Sequence, residues 1–201
     1  MRNGWKEAED RVIRLSEDGA EPFRIFAKFL YTGKIFSCKK ADVRMVGNVS
    51  HDNEWERLCE CWLLGDKLGS ESFQDAVVDS ISQKMETGNW FPTGLYQNAF
   101  RDTAAANGLR RLAVDISVWK WTSGHIARSK EGSWNTFFRD LAVRLHELSD
   151  SHRKGKPPFS GETCRYHEHV AANKPCYRAM FPWKQGRACC LFRHAAAGVE
   201  V

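Results

Sequence analysis

The residue pattern predicts a mainly α protein with one short residual strand, an α+β chain whose core comes almost entirely from helices. Apolar side chains recur at helical spacing from Glu21 to Ile35, from Glu54 to Met85 and from Leu109 to Leu148. Only Val12-Ile-Arg-Leu15 reads as a strand, with Ile13 and Leu15 on one face and Val12 on the other.

The stretch Glu21 to Ile35 organises the rest. Pro22 suits a first helical turn, where a missing N–H is harmless, and Gly33 suits the left-handed residue just past a helix end. Phe23, Phe26, Ala27 and Leu30 form one apolar stripe, and Ile25 and Phe29 form a second. Two stripes predict a helix sandwiched between other elements. The turn Ser16 to Ala20 leads into it, and the polar stretch Ser37 to Asn53, without clear periodicity, reads as a variable loop.

Glu54 to Leu68 follows as a helix closed by Gly69, with Trp55, Leu58, Cys59 and Trp62 on one stripe and Cys61, Leu64 and Leu68 on another. Ser70 is a suitable cap for the next helix, carrying Phe73, Ala76, Val77, Ile81 and Met85. So short a turn between two helices makes them run back against each other. Pro92 to Asn107 reads as a connector with a short helical turn. A second hairpin pairs the Leu109, Leu112, Ala113, Ile116, Trp119 face with the Trp134, Phe137, Phe138, Leu141, Leu145, Leu148 face, across a polar loop from Thr122 to Gly132 and with Ser133 as a cap. Beyond Asp150 comes the basic, Pro-ended linker Ser151 to Pro158. Periodicity is then lost, and residues from Val170 to Val201 are expected to lack fixed order.

Composition narrows the function classes. A 42% hydrophobic chain with eight Trp is a folded one, and a net charge of +5 from 30 basic and 25 acidic residues is too mild to mark a nucleic-acid binder. Seven Cys, an odd number, and no apolar leader after Met1 favour a reducing compartment, cytoplasm or nucleus, over a disulfide scaffold. No apolar run reaches the ~18 residues that span a bilayer. No GxxxxGK[ST] phosphate loop occurs, Gly94 and Gly108 stand alone, and Cys59 and Cys61 lie in an apolar helix where Cys acts as a small hydrophobe. An enzyme is not expected.

Val12-Ile-Arg-Leu15 with Glu17-Asp18, Phe26 through Ile35 with its Phe-Leu-Tyr-Thr-Gly, and Leu63-Leu-Gly-Asp-Lys-Leu68 with Phe73, Gln74, Asp75, Ala76 and Asp79 occur here in a fixed order. Together they resemble a BTB/POZ domain of the kind found in filamentous fungi. Leu109-Arg-Arg-Leu112 with Val114, Asp115 and Trp119, and Cys164-Arg-Tyr-His-Glu-His169, resemble the segment that follows such domains. The resemblance implies a partial BTB/POZ domain over 1–86, a helical C-terminal extension over 87–149, and over 150–201 a basic linker, a Cys/His segment and a poorly ordered tail. It also implies that the chain starts inside the domain, so that Val12–Leu15 lacks its sheet partners and one stripe of the organising helix lacks its covering helices.

The same resemblance implies a non-enzymatic protein-interaction module that pairs with another BTB chain and serves as an adaptor for a cullin-based ubiquitin ligase. Tyr31, Lys34, Phe36 and Trp55 are then the partner-binding residues. The apolar-x-Glu triplet common in cullin-binding members is absent between Gly33 and Asn53.

One set of residues has metal-ligand chemistry. Cys164, His167 and His169, with Cys176 seven residues further on, are side chains that zinc accepts, though not at zinc-finger spacing. In an extended segment His167 and His169 would point to opposite sides. Zinc is therefore the one cofactor candidate, against a reading in which Tyr166 and His167 pack or hydrogen-bond against the helices; Cys189 and Cys190 read as incidental. A zinc-stabilised tail that binds nucleic acid through Arg153, Lys154 and Lys156 is the alternative function, and a degenerate fragment without a role is another. The indoles of Trp55, Trp62, Trp119 and Trp134 are expected in the core, and Trp121, off the stripe near Arg110 and Arg111, is expected at the surface.

Overall fold

The computed structural model describes residues 19–39, 43–46, 49–88, 91–92, 94–101, 103, 107–128, 135–148 and 155–181. They form a mainly helical protein with very little strand. Helix α1 spans Ala20–Thr32, the antiparallel pair β1 Val43–Val46 and β2 Val49–Asp52 follows, and α2 Asn53–Lys67 and α3 Glu71–Gly88 make a tight hairpin. Next come α4 Leu95–Arg101, α5 Gly108–Lys120, α6 Ser123–Arg128 and α7 Asn135–Glu147. A 3-10 turn at Cys164–Tyr166 and two single-turn helices, α8 Glu168–Ala171 and α9 Tyr177–Met180, complete the described chain.

The α2–α3 hairpin is the centre. α1 packs on α2, α4 packs on α2 and α5, α7 packs on α5, and the segment from Cys164 to Met180 lies across α3 and α5. Buried apolar side chains join into one cluster that runs from Ile25 through Leu58, Trp62, Phe73, Ile81, Leu109 and Phe137 to Tyr166. Parts of the regions 1–86, 87–149 and 150–201 thus share one core.

Local chemistry explains the helix ends. Gly33 adopts φ 64° and donates its N–H to the Phe29 carbonyl, and Gly69 adopts φ 61° just past α2, both as their positions require. Asp52 caps α2 by accepting from the Glu54 N–H at 3.0 Å, and Asn107 caps α5 by accepting from Arg110 N–H at 2.9 Å.

Several features depart from the sequence expectation. Of the two α1 stripes, Ile25 and Phe29 are buried, while Phe23 and Leu30 are 47% and 55% exposed, so α1 is packed on one side rather than sandwiched. The stretch 37–53 is not all loop: β1 and β2 pair Val43 with Asp52 and Val46 with Val49. Strands of four residues are easy to overlook in a sequence. The predicted loop from Thr122 holds α6, and Trp121 is not at the surface but packs against Tyr96, ring centroids 5.3 Å apart, and Phe137, 5.6 Å. Residues 170–181, expected without order, are built into α8 and α9. The expected strand Val12–Leu15, Trp134, the cap Ser133, Arg153, Lys154 and the segment from 182 onward, including Cys189 and Cys190, lie outside the described residues.

The C-terminal segment approaches α5 at Gly108. A Cβ there would lie 1.7 Å from the Tyr166 carbonyl oxygen, a contact no side chain survives. Gly108→Ala is expected to lower stability by about 1–3 kcal/mol, the usual range for overpacking, read as a fall in the urea midpoint with little change in slope. An unchanged midpoint would mean that the segment does not rest on α5.

Candidate metal centre

Two aspartates four residues apart on α3 build this site. Asp75 and Asp79 lie on the helix face that looks toward the C-terminal segment, within reach of each other's partners by helical spacing. Asp75 is fully buried; its Oδ1 accepts the Glu168 N–H at 2.6 Å, and its Oδ2 lies 2.6 Å from His169 Nδ1. Asp79 is the denser hub. It meets His167 Nε2 at 3.0 Å, accepts from Arg178 Nη2 at 2.6 Å and Nε at 2.9 Å, and accepts from the hydroxyls of Thr163 and Tyr177. Burial would raise the Asp79 carboxyl, but His167 and the two hydroxyls outweigh it and hold it down at about 2.

Those bonds fold the segment onto itself. The 3-10 turn ends at His167, whose ψ of 145° breaks the helix before α8 restarts at Glu168. His167 and His169 therefore do not diverge as in a strand; their ring centroids are 5.1 Å apart. Asn173, at φ 50°, ends α8 with a left-handed residue that Asn tolerates, and the Lys174 N–H returns to the His169 carbonyl at 3.0 Å. This reversal carries Cys176 back over His167, with Sγ 3.9 Å from Nδ1.

The outcome is a cluster. One donor atom each from Cys164, His167, His169 and Cys176 fall within 4.8 Å of one another. His167 is fully buried and the other three are half-buried. Asp75 Oδ2 also lies 3.9 Å from His167 Nδ1, too far for an N–H···O hydrogen bond. Burial first, and Cys176 beside it, push the Cys164 thiol up to about 12. A divalent cation placed between the two sulfurs reverses that balance, because a coordinated thiol gives up its proton. Tyr166 packs inside and donates its hydroxyl to Asp115 Oδ2 at 2.6 Å, and the four candidate ligands converge beside it.

The expected partner-binding residues do not form one site of this kind. Tyr31 is 85% exposed, Phe36 is 47% exposed, and Lys34 is half-buried. Trp55 is half-buried beneath Lys84, whose ammonium sits 4.9 Å from the ring centroid and pairs with Asp52 at 2.8 Å and with Glu54. Arg110, near the Trp residues in sequence, is committed internally, donating to the Ala99 carbonyl at 3.1 Å and the Thr103 carbonyl at 2.5 Å at the end of α4. Cys59 and Cys61 are buried, and burial pushes both thiols up to about 12, which leaves them protonated at neutral pH.

Asp75 and Asp79 are the site residues that residue typing passed over. Their signal was present: two carboxylates at i, i+4 flank Ala76-Val77-Val78 on a packed helix, and carboxylates so placed demand partners. Asp79→Ala is expected to cost about 2–3 kcal/mol, somewhat below the loss for a fully buried pair because Arg178 is part-exposed. Urea unfolding reads the cost, and faster tryptic cleavage after Arg178, which Asp79 holds, reads the freed segment; wild-type values of both would show that Asp79 does not hold it. Compared with known proteins, the chain matches no family model, no curated protein and no solved structure.

Proposed function

We propose that this chain is a non-enzymatic protein-interaction module of BTB/POZ type that binds a second BTB chain through the solvent-facing edge of α1. The carrying observation is the exposure of Phe23, Leu30, Tyr31 and Phe36 at 47%, 55%, 85% and 47%. Phe23, Leu30 and Tyr31 fall at i, i+7 and i+8 and so share one edge of α1. Isolated exposed apolar residues are ordinary, but several on one helix edge mark an interaction surface.

The packing gives that edge a rigid mount. Phe29, on the opposite side, meets Phe73, Tyr177 and Phe181 at ring-centroid distances of 5.3, 6.2 and 5.8 Å. Buried Glu54 fixes the stretch after α1 by accepting from Ser37 Oγ at 2.6 Å. A mounted apolar edge suits binding without large rearrangement. Among the described residues no helix is long and apolar enough to cross a membrane, so the edge is not part of a membrane span. The cullin-adaptor role belongs to the same reading and rests on the resemblance of the Phe-Leu-Tyr-Thr-Gly segment.

Titration of the fluorescently labelled chain with a purified full-length BTB protein tests this. Saturable binding is expected, weakened about 30-fold or more in Leu30→Asp/Tyr31→Ala if these are central contacts worth about 2 kcal/mol or more. Binding unaffected by the double variant, or no binding at all, would overturn the reading. A parallel titration with a cullin N-terminal domain decides the adaptor role separately.

A further inference from the structure

We infer that Cys164 Sγ, His167 Nδ1, His169 Nε2 and Cys176 Sγ bind one zinc ion, which clasps the C-terminal segment onto α3. This holds whether or not the α1 edge is an interface.

The donor set is the first support. Two sulfurs and two imidazoles make a closed, four-ligand set that suits tetrahedral zinc, and the soft thiolates disfavour magnesium and calcium. Spacing is the second. Zinc bonds of about 2.0–2.3 Å put tetrahedral ligand atoms about 3.3–3.8 Å apart. The His167–Cys176 pair already stands at 3.9 Å, and the widest separation in the cluster is 4.8 Å. Side-chain shifts of about an ångström close the shell around an ion.

The third support is independent of the ligands themselves. Each histidine has one ring nitrogen occupied by a carboxylate: Asp79 Oδ1 at His167 Nε2, 3.0 Å, and Asp75 Oδ2 at His169 Nδ1, 2.6 Å. An acceptor there fixes the tautomer, placing the proton on the carboxylate side and the lone pair on the other. That leaves the lone pair on His167 Nδ1, which stands beside Cys176 Sγ, and on His169 Nε2. Carboxylate, imidazole and metal in line is the arrangement by which proteins orient zinc-binding histidines. Here it is built twice, from two residues one turn apart on a single helix. Arg178, held by Asp79, reaches Cys164 Sγ at 3.9 Å and supplies positive charge beside that thiolate.

The local fold also has a use for the ion. α8 and α9 have four residues each, far below the length at which a helix holds itself in water. Residues 171–175 between them are exposed, and α9 buries no side chain completely. An ion joining Cys164, His167, His169 and Cys176 would lock both turns and hold Tyr177 and Phe181 against Phe29 of α1.

The test uses the full chain, produced in zinc-supplemented medium and purified under reducing conditions. Elemental analysis is expected to find about one zinc per chain, lost in Cys164→Ser and Cys176→Ser. Cobalt exchanged into the wild-type chain should give the intense visible bands of a tetrahedral site with thiolate charge transfer. Asp75→Asn and Asp79→Asn keep all four ligands and are expected to weaken zinc about 10–100-fold in competition with a chelator dye. Should the serine variants fail to fold, the wild-type chain stripped with chelator serves instead. Its tryptic cleavage after Arg178 should accelerate and return to the starting rate when zinc alone is added back. No stoichiometric metal under these conditions, zinc retained in the Cys164→Ser/Cys176→Ser double variant, or a Cys164–Cys176 disulfide in chain handled without oxygen would overturn the proposal.

Discussion

Two carboxylates on α3, Asp75 buried and Asp79 part-buried, anchor the segment from Thr163 to Arg178. A carboxylate removed from water is tolerated only where hydrogen bonds or positive charge replace the lost hydration. Asp75 and Asp79 obtain that replacement from Thr163, His167, Glu168, His169, Tyr177 and Arg178, all within one short stretch of sequence. The stretch buries Tyr166 and packs Tyr177 against Phe29. The polar contacts add directional geometry, which defines a register that hydrophobic packing alone would leave loose.

A second polar node secures the other flank. Tyr166 and Arg144 both donate to Asp115, the arginine at 2.7 Å, so α5, α7 and the 3-10 turn meet on one buried carboxylate. Arg111 adds a bond from its Nε to the Arg165 carbonyl at 3.3 Å, and the absence of a side chain at Gly108 lets the Tyr166 carbonyl come close. The Cys/His segment is thus pinned between α3 and α5. It also reaches α1, because Phe181 packs over Gly33 and against Phe29. One face of α1 is coupled to the candidate metal centre, and its other edge carries the exposed Leu30 and Tyr31.

The helices were legible because their signals are local. Ile25 with Phe29, Leu58 with Trp62, and Leu109 with Leu112 and Ile116 follow the period of a helix that buries one face, and Gly33 and Gly69 mark ends at positive φ. The β1–β2 hairpin was less legible because four-residue strands give alternation too little length to stand out. Trp121 was misplaced for a different reason. It lies off the apolar stripe of α5, but Tyr96 of α4 and Phe137 of α7 cover that side, which no helical wheel shows. The four candidate metal ligands were legible as residue types, but not as a cluster.

By itself the sequence determined where the long helices lie, where two of them stop, which side chains have metal-binding chemistry and which cysteines are too apolar in context to react. These properties depend on neighbours within a few residues, where spacing along the chain is spacing in the structure. Only the tertiary structure decided that His167 and His169 converge, which nitrogen of each meets a carboxylate, and that Phe23 and Leu30 stay in water while Ile25 and Phe29 do not. Those outcomes are set by Asp75 and Asp79, about 90 residues away in sequence, and by the helices that happen to cover one side of α1. No local pattern encodes a contact between such distant residues, because it exists only once the core has brought their helices together.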